Sequence, residues 1–551
     1  MSAIAAPARP QATAVTETSP RRTFDARMLA AMGFIVVLVV VSHGYNMLHF
    51  PYLEDDEGTY FSQAWAVFHL GRLASYTYIY DHAPLGWIQI AMWQFVTLGY
   101  SFGYALASGR MLMLLFQLGS ALLVFAIARR ASGKVWVGLL AGVVFSLSSY
   151  GIFYHRRILL DNVATFWLLL SIYFLVGRVT LRRVWLSAIA IGVAVLSKEV
   201  AIAAIPALAV LVARQTSRSN RLFAVTGWLA LSLSICSTYL LLALLKGELF
   251  PAGTALGGDH PHVSLLCSLQ WQASRAPDGG IFDPSSKFWL AASSWAHAEP
   301  LLVIGGTGAA LLSIVALRRE RFIAMLGWTV LSLWLFLGRG GMVLDFYLVP
   351  LLPLLALSLA LVLDKGIAGL RPTLPSRLVR AGTGGGVAVA VVGCALLLLL
   401  GYQRSGKLLW TANPVAGQLQ AVKWIDRHVT PNSRMVIDQY MWSSLHTQEP
   451  RFPDAQYYWK VGEDPEVQRE GFGDDWRKVD YVVTTPQLVS DTRAQGFPIV
   501  LPALEHSVLV AAFNTGWPVE VRRVAPHARS QYQLPRVNTQ QLPSCMTYTG
   551  A

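Results

Sequence analysis

Residues 28–65 read MLAAMGFIVVLVVVSHGYNMLHFPYLEDDEGTYFSQAW, and the reading of the whole chain turns on this passage. Its first part, 28–48, contains no Asp, Glu, Lys or Arg. A run of ~20 apolar residues is what a helix needs to cross a bilayer. Arg21, Arg22 and Arg27 precede it. That order resembles a secretory signal, but the apolar stretch is too long and no Ala-x-Ala site follows. We read it as an uncleaved first spanning helix. Four consecutive carboxylates, Glu54, Asp55, Asp56 and Glu57, come directly after it.

The rest of the chain agrees with a membrane reading. Of 551 residues, 54% are hydrophobic and only 14% charged. A soluble domain carries about 25% charged residues, so a purely soluble enzyme is excluded. Disorder is excluded too, because disordered chains are poor in apolar side chains. Further apolar runs at 107–128, 135–150, 160–177, 183–197, 200–213, 222–245, 297–317, 322–338, 345–363 and 383–402 bring the expected spans to about eleven. The stretch 85–99 is a twelfth apolar segment. If it lies along the membrane surface, the N-terminus and the loops 129–134, 178–183, 214–221, 318–321 and 364–380 fall on one side, with most of the Arg and Lys. Basic loops mark the cytoplasmic face, so the surface helix is preferred.

This threading accounts for the formal charge of +13 without a nucleic-acid partner. It makes 1–27 a disordered cytoplasmic N-terminus and 28–402 a transmembrane domain. The segments 49–106, 151–159, 246–296, 339–344 and 403–551 lie outside. The last of these is soluble in composition. Val415–His428 reads as a helix, and Arg434–Asp438 and Val479–Thr484 as β-branched strands. The fold class is thus a polytopic α-helical membrane protein with a C-terminal extracytoplasmic α/β domain. Cys267 and Cys545 share the outer side, which permits a disulfide without requiring one; no Cys/His spacing suggests zinc. In 246–296, Trp271, Trp289 and Trp295 suit interfacial anchors better than sugar platforms. An Ala/Gly/Arg-rich composition points to a bacterial plasma membrane.

The threading gathers ionisable groups at the outer face: the acids 54–57, Asp81 and His82 before Pro84, Arg110, His155, Arg156, Arg157, Asp161, Lys198, Glu199, Asp345 and Tyr347. The bland readings are helix capping by Asp81 and Asp161, and acids at 54–57 that suit a helix dipole. Against them, ionisable groups at the edge of an apolar helix are costly and usually have a task. Carboxylates and arginines at head-group level suit a phosphorylated lipid and an acceptor hydroxyl that needs a base.

In order and sidedness these residues resemble the GT-C glycosyltransferases, specifically the protein O-mannosyltransferase and aminoarabinose transferase group (glycosyltransferase family 39). The matching pieces are Asp56-Glu57 with Tyr60, Asp81-His82-Ala83-Pro84-Leu85, Arg110, and Ala128-Arg129-Arg130 with Gly133. Arg157 to Asp161, Leu196 and Lys198 with Pro206, and Tyr347 with Pro350 and Pro353 complete the set. The match departs from the group at His82, where a lysine is usual. The spacing to Gly58 and Tyr60 favours Asp56 over Asp55 as the key carboxylate.

The resemblance implies an inverting, mannosyltransferase-like transfer from a polyprenyl-phosphate sugar to a hydroxyl of a protein, lipid or envelope glycan outside the membrane. Asp56 is then the base. Glu57, Asp81 and Asp161 position acceptor or sugar hydroxyls. Arg110, Arg157 and Lys198 meet the lipid phosphate, with His82 and Tyr347 also at the substrate. The resemblance fixes no cofactor, and Asp56 with Asp161 is an alternative site for a divalent cation. The competing readings are a transporter or flippase of lipid-linked sugars, whose polar groups would sit near the midplane, and a glycan-binding receptor.

Overall fold

A computed structural model describes residues 26–370 and 406–532 except 72, 74–79, 98–102, 260–261, 275–276, 447–451 and 465–466; between 371 and 405 it describes Gly393, Leu396 and Tyr402. The span expected over 383–402, the N-terminal segment 1–25 and Cys545 lie outside the described residues. Cys267 is disulfide-bonded.

The chain opens with α1 (Ala26–Val39), prolonged to Gly44 by a π-turn. The acids at 54–57 begin α2 (Asp55–Leu70), whose N-cap is Glu54 in a capping box with Glu57, and which stops at Gly71 in the left-handed region, φ 65°. Helix α3 (Leu85–Val96) has 12 residues, about 18 Å at ~1.5 Å per residue. That is well short of a ~30 Å hydrocarbon core. Helix α4 (Ala105–Ser132), at 28 residues, exceeds it. Then follow α5 (Val135–Ser146), α6 (Ser149–His155), α7 (Leu160–Phe174), α8 (Leu181–Ser197), α9 (Ile205–Gln215) and α10 (Arg221–Leu245). Helices α11 (Leu265–Ser274), α12 (Lys287–Ala298), α13 (Thr307–Ala316), α14 (Arg321–Leu337) and α15 (Leu351–Leu370) complete the bundle.

Among the described residues, four helices are long and apolar enough to cross a membrane, or six if each bent pair is one span. The eleven expected spans are therefore not eleven straight helices. The run 135–150 bends by 66° between α5 and α6, where Ser148 stops one helix and caps the next by accepting from the Gly151 amide. The run 297–317 bends by 111° at Pro300, which ends α12 and is followed by a π-turn, Leu301–Gly306. The run 200–213 starts as a 3-10 turn, Glu199–Ala204, before Pro206 opens α9.

The C-terminal unit contains α16 (Val415–His428), β1 (Met435–Ile437), α17 (Gln439–His446), β2 (Ala455–Tyr457), α18 (Tyr458–Glu463), β3 (Tyr481–Thr484), α19 (Pro486–Gln495), α20 (Val500–Glu505), β4 (Ser507–Phe513) and β5 (Val519–Val524). Strand order is β2-β1-β3-β5-β4: β1 pairs in parallel with both β2 and β3, and β5 is antiparallel to β3 and β4. One apolar cluster fills the membrane bundle, from Ala31 to Leu361. A second is shared between the end of the bundle and the C-terminal unit: Tyr60, Trp87, Leu159 and Phe346 pack in it with Ile437, Tyr440 and Val521.

Candidate active site

The first turn of α2 sends its four acids to different partners, because successive residues on a helix point ~100° apart. Glu57, fully buried, receives Arg110 through Nε (2.9 Å) and Nη2 (2.7 Å). The remaining N–H groups of Arg110 go to the carbonyls of Met47, Pro51 and Tyr52 at 2.9–3.2 Å. All five donors of the guanidinium are thus spent inside the protein. Glu57 further accepts the amide of Ile158 at 3.0 Å. Expected as a substrate-positioning acid and a phosphate ligand, these two residues instead form a closed pair that fixes α2 against α4.

Glu54 takes Arg157 Nη1 at 2.5 Å. Burial pushes the Glu54 carboxyl up to about 7, against the pull of Arg157 and with the help of Asp56 and Glu57. Arg157 is 1% exposed and lies over the rings of Phe153 (4.4 Å) and Tyr52 (4.6 Å). Its Nε and Nη2 have no hydrogen-bond partner among the described residues. Its neighbour Arg156 spends its donors on the carbonyls of His43, Leu409, Ser42 and Tyr45.

Asp55 points away from the bundle. Its Oδ2 accepts Tyr458 Oη, at the start of α18, at 2.5 Å. Around it the C-terminal unit takes hold of the whole turn. Gln418 Oε1 accepts the Leu53 amide (2.7 Å), and its Nε2 donates to the Leu53 carbonyl (2.8 Å). Tyr52 stacks on Trp517 with centroids 3.9 Å apart. At Gly58 a Cβ would come within 2.2 Å of the Gln439 backbone, so only glycine lets α2 approach the start of α17.

Asp56 is left facing the other way, and its charge acts on Tyr60, Asp161 and Lys198. The hub of this group is Lys198, in the turn after α8 and 3% exposed. Its ammonium lies 2.9 Å from His82 Nε2, 3.3 Å from Tyr60 Oη and 3.8 Å from Asp161 Oδ2. It stands 5.6 Å from the centres of the Tyr60 and Phe346 rings, and Tyr347, next to Phe346, acts on its charge. Asp161 does not cap α7. The N-cap is Leu159, and both carboxylate oxygens of Asp161 are buried without a hydrogen-bond partner in the described residues. Asp81 accepts from Gln272 of α11 and lies 3.4 Å from His82 Nε2. Burial lowers the affinity of His82 for a proton, Asp81 and Glu199 raise it, and the net shift is upward.

The structure thus brings Asp56, Asp81, His82, Asp161, Lys198 and Tyr347 together with Tyr60, and sets Glu57 and Arg110 behind them. Gln272 and Tyr458 belong to the assembly but carry no local sequence signal, since each reaches its carboxylate across 191 and 403 positions respectively. The cation alternative fits the residues poorly. Among the described residues no three His, Cys, Asp or Glu side chains converge as metal ligands, and an ammonium already faces Asp161.

No family model and no curated protein matches the chain. Solved structures do match it. ArnT from Cupriavidus metallidurans, bound to undecaprenyl phosphate, is similar over 91% of this chain and 99% of that one, at 18% identity and a TM-score of 0.54. The Archaeoglobus fulgidus oligosaccharyltransferase in its apo form is similar over 92% of this chain and 75% of that one, at 12% identity and a TM-score of 0.54. The enzyme from the same organism in complex with an inhibitory peptide and a dolichol-phosphate gives a TM-score of 0.51. At these identities the likeness is one of fold: this chain has the fold of ArnT and of the archaeal oligosaccharyltransferase.

Proposed function

We propose that this chain is an inverting glycosyltransferase that moves a sugar from a polyprenyl-phosphate donor to an acceptor hydroxyl at the outer face of a bacterial plasma membrane. The observation that carries the reading is the orphaned, buried Asp161 carboxylate beside the Lys198 ammonium, with the charge of Asp56 acting on both. Buried polar atoms without partners are rare in native proteins, and a ligand that completes the bonding is one explanation of them. Binding of undecaprenyl phosphate by ArnT and of dolichol-phosphate by the archaeal enzyme supports a lipid-linked donor here.

In this reading the Asp56 carboxylate removes the acceptor proton as the acceptor oxygen forms its bond to the anomeric carbon. The bond from that carbon to the phosphate oxygen breaks on the opposite face, and the electron pair leaves with the lipid phosphate. The anomeric centre inverts. Lys198 and the two unpartnered Arg157 donors stabilise the charge growing on the phosphate. Asp161 and Asp81 accept hydrogen bonds from sugar or acceptor hydroxyls. Arg110 and Glu57 act only by holding α2. The sugar is unspecified by this chemistry, and mannose is one member of the panel to test.

The test is transfer from a panel of polyprenyl-phosphate sugars in proteoliposomes by wild type, Asp56→Ala and Asp161→Ala. Transfer by wild type and its loss in both variants is the expected result. Full activity in the variants would overturn the site. Turnover of none of the donors would favour a flippase.

A further inference from the structure

The consecutive residues Lys198 and Glu199 grip the two nitrogens of one imidazole. The backbone at Lys198 is extended, so the two side chains leave the chain on opposite sides, yet both end at His82. Lys198 Nζ stands 2.9 Å from Nε2, and Glu199 Oε2 stands 3.1 Å from Nδ1. The other oxygen of Glu199 accepts the amide of Ala83 at 2.5 Å. Tyr239 Oη shares its proton between the carbonyls of Tyr80 (3.2 Å) and His82 (3.1 Å), so the segment carrying the imidazole is held on its backbone as well.

The shortest contact on each nitrogen gives this arrangement its reading. A carboxylate only accepts, so Nδ1 carries a hydrogen and donates it to Glu199. An ammonium only donates, so Nε2 presents its lone pair to Lys198. A second hydrogen on Nε2 would set two donors against each other at 2.9 Å. The other one-proton arrangement, a neutral lysine accepting from an imidazolium, would leave the buried Asp161 carboxylate without the positive charge 3.8 Å from it. Tyr60 Oη at 3.2 Å and Asp81 Oδ2 at 3.4 Å are the longer contacts to that nitrogen; Asp81 favours a second proton there, and the Lys198 ammonium at 2.9 Å opposes it.

We infer that Glu199 is a positioning residue that fixes His82 as the Nδ1–H tautomer, so that the imidazole becomes an acceptor aiming the Lys198 ammonium into the site. This deepens the proposed transferase reading and rests on it for the kinetic consequence only. A lysine has four rotatable side-chain bonds and loses up to about 2 kcal/mol of rotamer entropy when fixed. Here two of the three ammonium hydrogens are committed in advance, to His82 and Tyr60. The third is left for Asp161 or for an anionic oxygen of the donor. His82 is then an orienting group rather than a phosphate ligand, because both its nitrogens are engaged.

The experiment uses the full chain in nanodiscs with 15N-labelled histidine, and His82→Gln identifies the resonances. The expected spectrum has His82 protonated at Nδ1 and unprotonated at Nε2, with that tautomer lost in Glu199→Ala and weakened in the isosteric Glu199→Gln. An Nε2–H tautomer, or a spectrum unchanged in Glu199→Ala, would overturn the clamp. This readout needs no turnover, so it stands or falls apart from the transferase reading. With a donor that wild type transfers, Glu199→Ala should raise KM for the donor about tenfold, the equivalent of one charge-assisted hydrogen bond, with a smaller change in kcat. Glu199→Asp should recover part of it. A lost tautomer with unchanged KM and kcat would refute the positioning role.

Discussion

Tyr458 Oη lies 2.5 Å from Asp55 Oδ2 and 2.6 Å from Asp491 Oδ2. A phenol has one proton, so it donates to one carboxyl group and accepts from the other, which is then a neutral acid. Asp438, at the end of β1, belongs to the same group and accepts from Thr485 Oγ1 at 2.7 Å. The helix that carries Asp56 is therefore joined to the C-terminal unit through acids that retain protons.

That junction predicts a pH-dependent stability. Burial, with the charges of Asp438 and Asp491, pushes Asp55 well above the usual carboxylate range, and burial pushes Asp438 up to about 6. Both shifts are upward, so the folded protein keeps protons that the unfolded chain releases. The contribution is fully present below pH ~4 and, for Asp438, is lost as the pH rises through about 6. Asp438→Asn stays neutral at every pH. It should raise Tm at pH 8 and leave it nearly unchanged at pH 4, measured by thermal unfolding in detergent. An equal effect at both values would remove the proton from the explanation.

The Glu57–Arg110 pair makes an opposite kind of prediction. Removing one partner leaves the other charge buried and uncompensated, at a cost of about 3–5 kcal/mol. Arg110→Met and Glu57→Gln should each lower folded yield and Tm sharply. If Arg110→Met kept wild-type Tm and lost only donor affinity, the pair would be a ligand site after all.

Gly58→Ala tests the contact between α2 and α17. The added methyl has no room against the Gln439 backbone, and overpacking of this kind costs about 1–3 kcal/mol. We expect the turn carrying Asp56 to shift and transfer to fall by more than tenfold, while the membrane bundle, assayed by its own heat-induced aggregation, stays intact. Wild-type activity would show that the approach is not needed.

For Asp161→Asn the prediction separates function from stability. The carboxylate is buried with Lys198 as its nearest charge, and the helix does not use it as a cap. Transfer should fall by about 10²-fold or more, with Tm unchanged or higher. A parallel loss of Tm and activity would return Asp161 to a structural role.

Much of the architecture was legible because bilayer thickness and side-chain charge act on the chain locally. The run 28–48, the acids that follow it and the helix 415–428 could be read in sequence for that reason. What sequence could not supply was the azimuth of α2. Four adjacent acids look alike until Gln418, Tyr458 and the Gln439 backbone decide which way the helix is turned. The same holds for Arg110, whose type and position suited a phosphate, and whose five donors are consumed by Glu57 and three carbonyls. The bends at Ser148 and Pro300 interrupt apolar runs that hydropathy alone reads as continuous.

The seat of Gly58 against Gln439 also has a meaning in time. About 380 residues separate the two, so at about 5–20 residues per second the ribosome needs roughly 20–80 s to make the second after the first. During that interval the membrane helices are already entering the bilayer, while the turn that bears Asp56 has only its bundle-side partners, Arg110 and Arg157. A chain cut short anywhere before Gln439 would lack the seat of Gly58 and the Tyr458 contact to Asp55. Completion of the C-terminal unit thus sets the final orientation of the first loop.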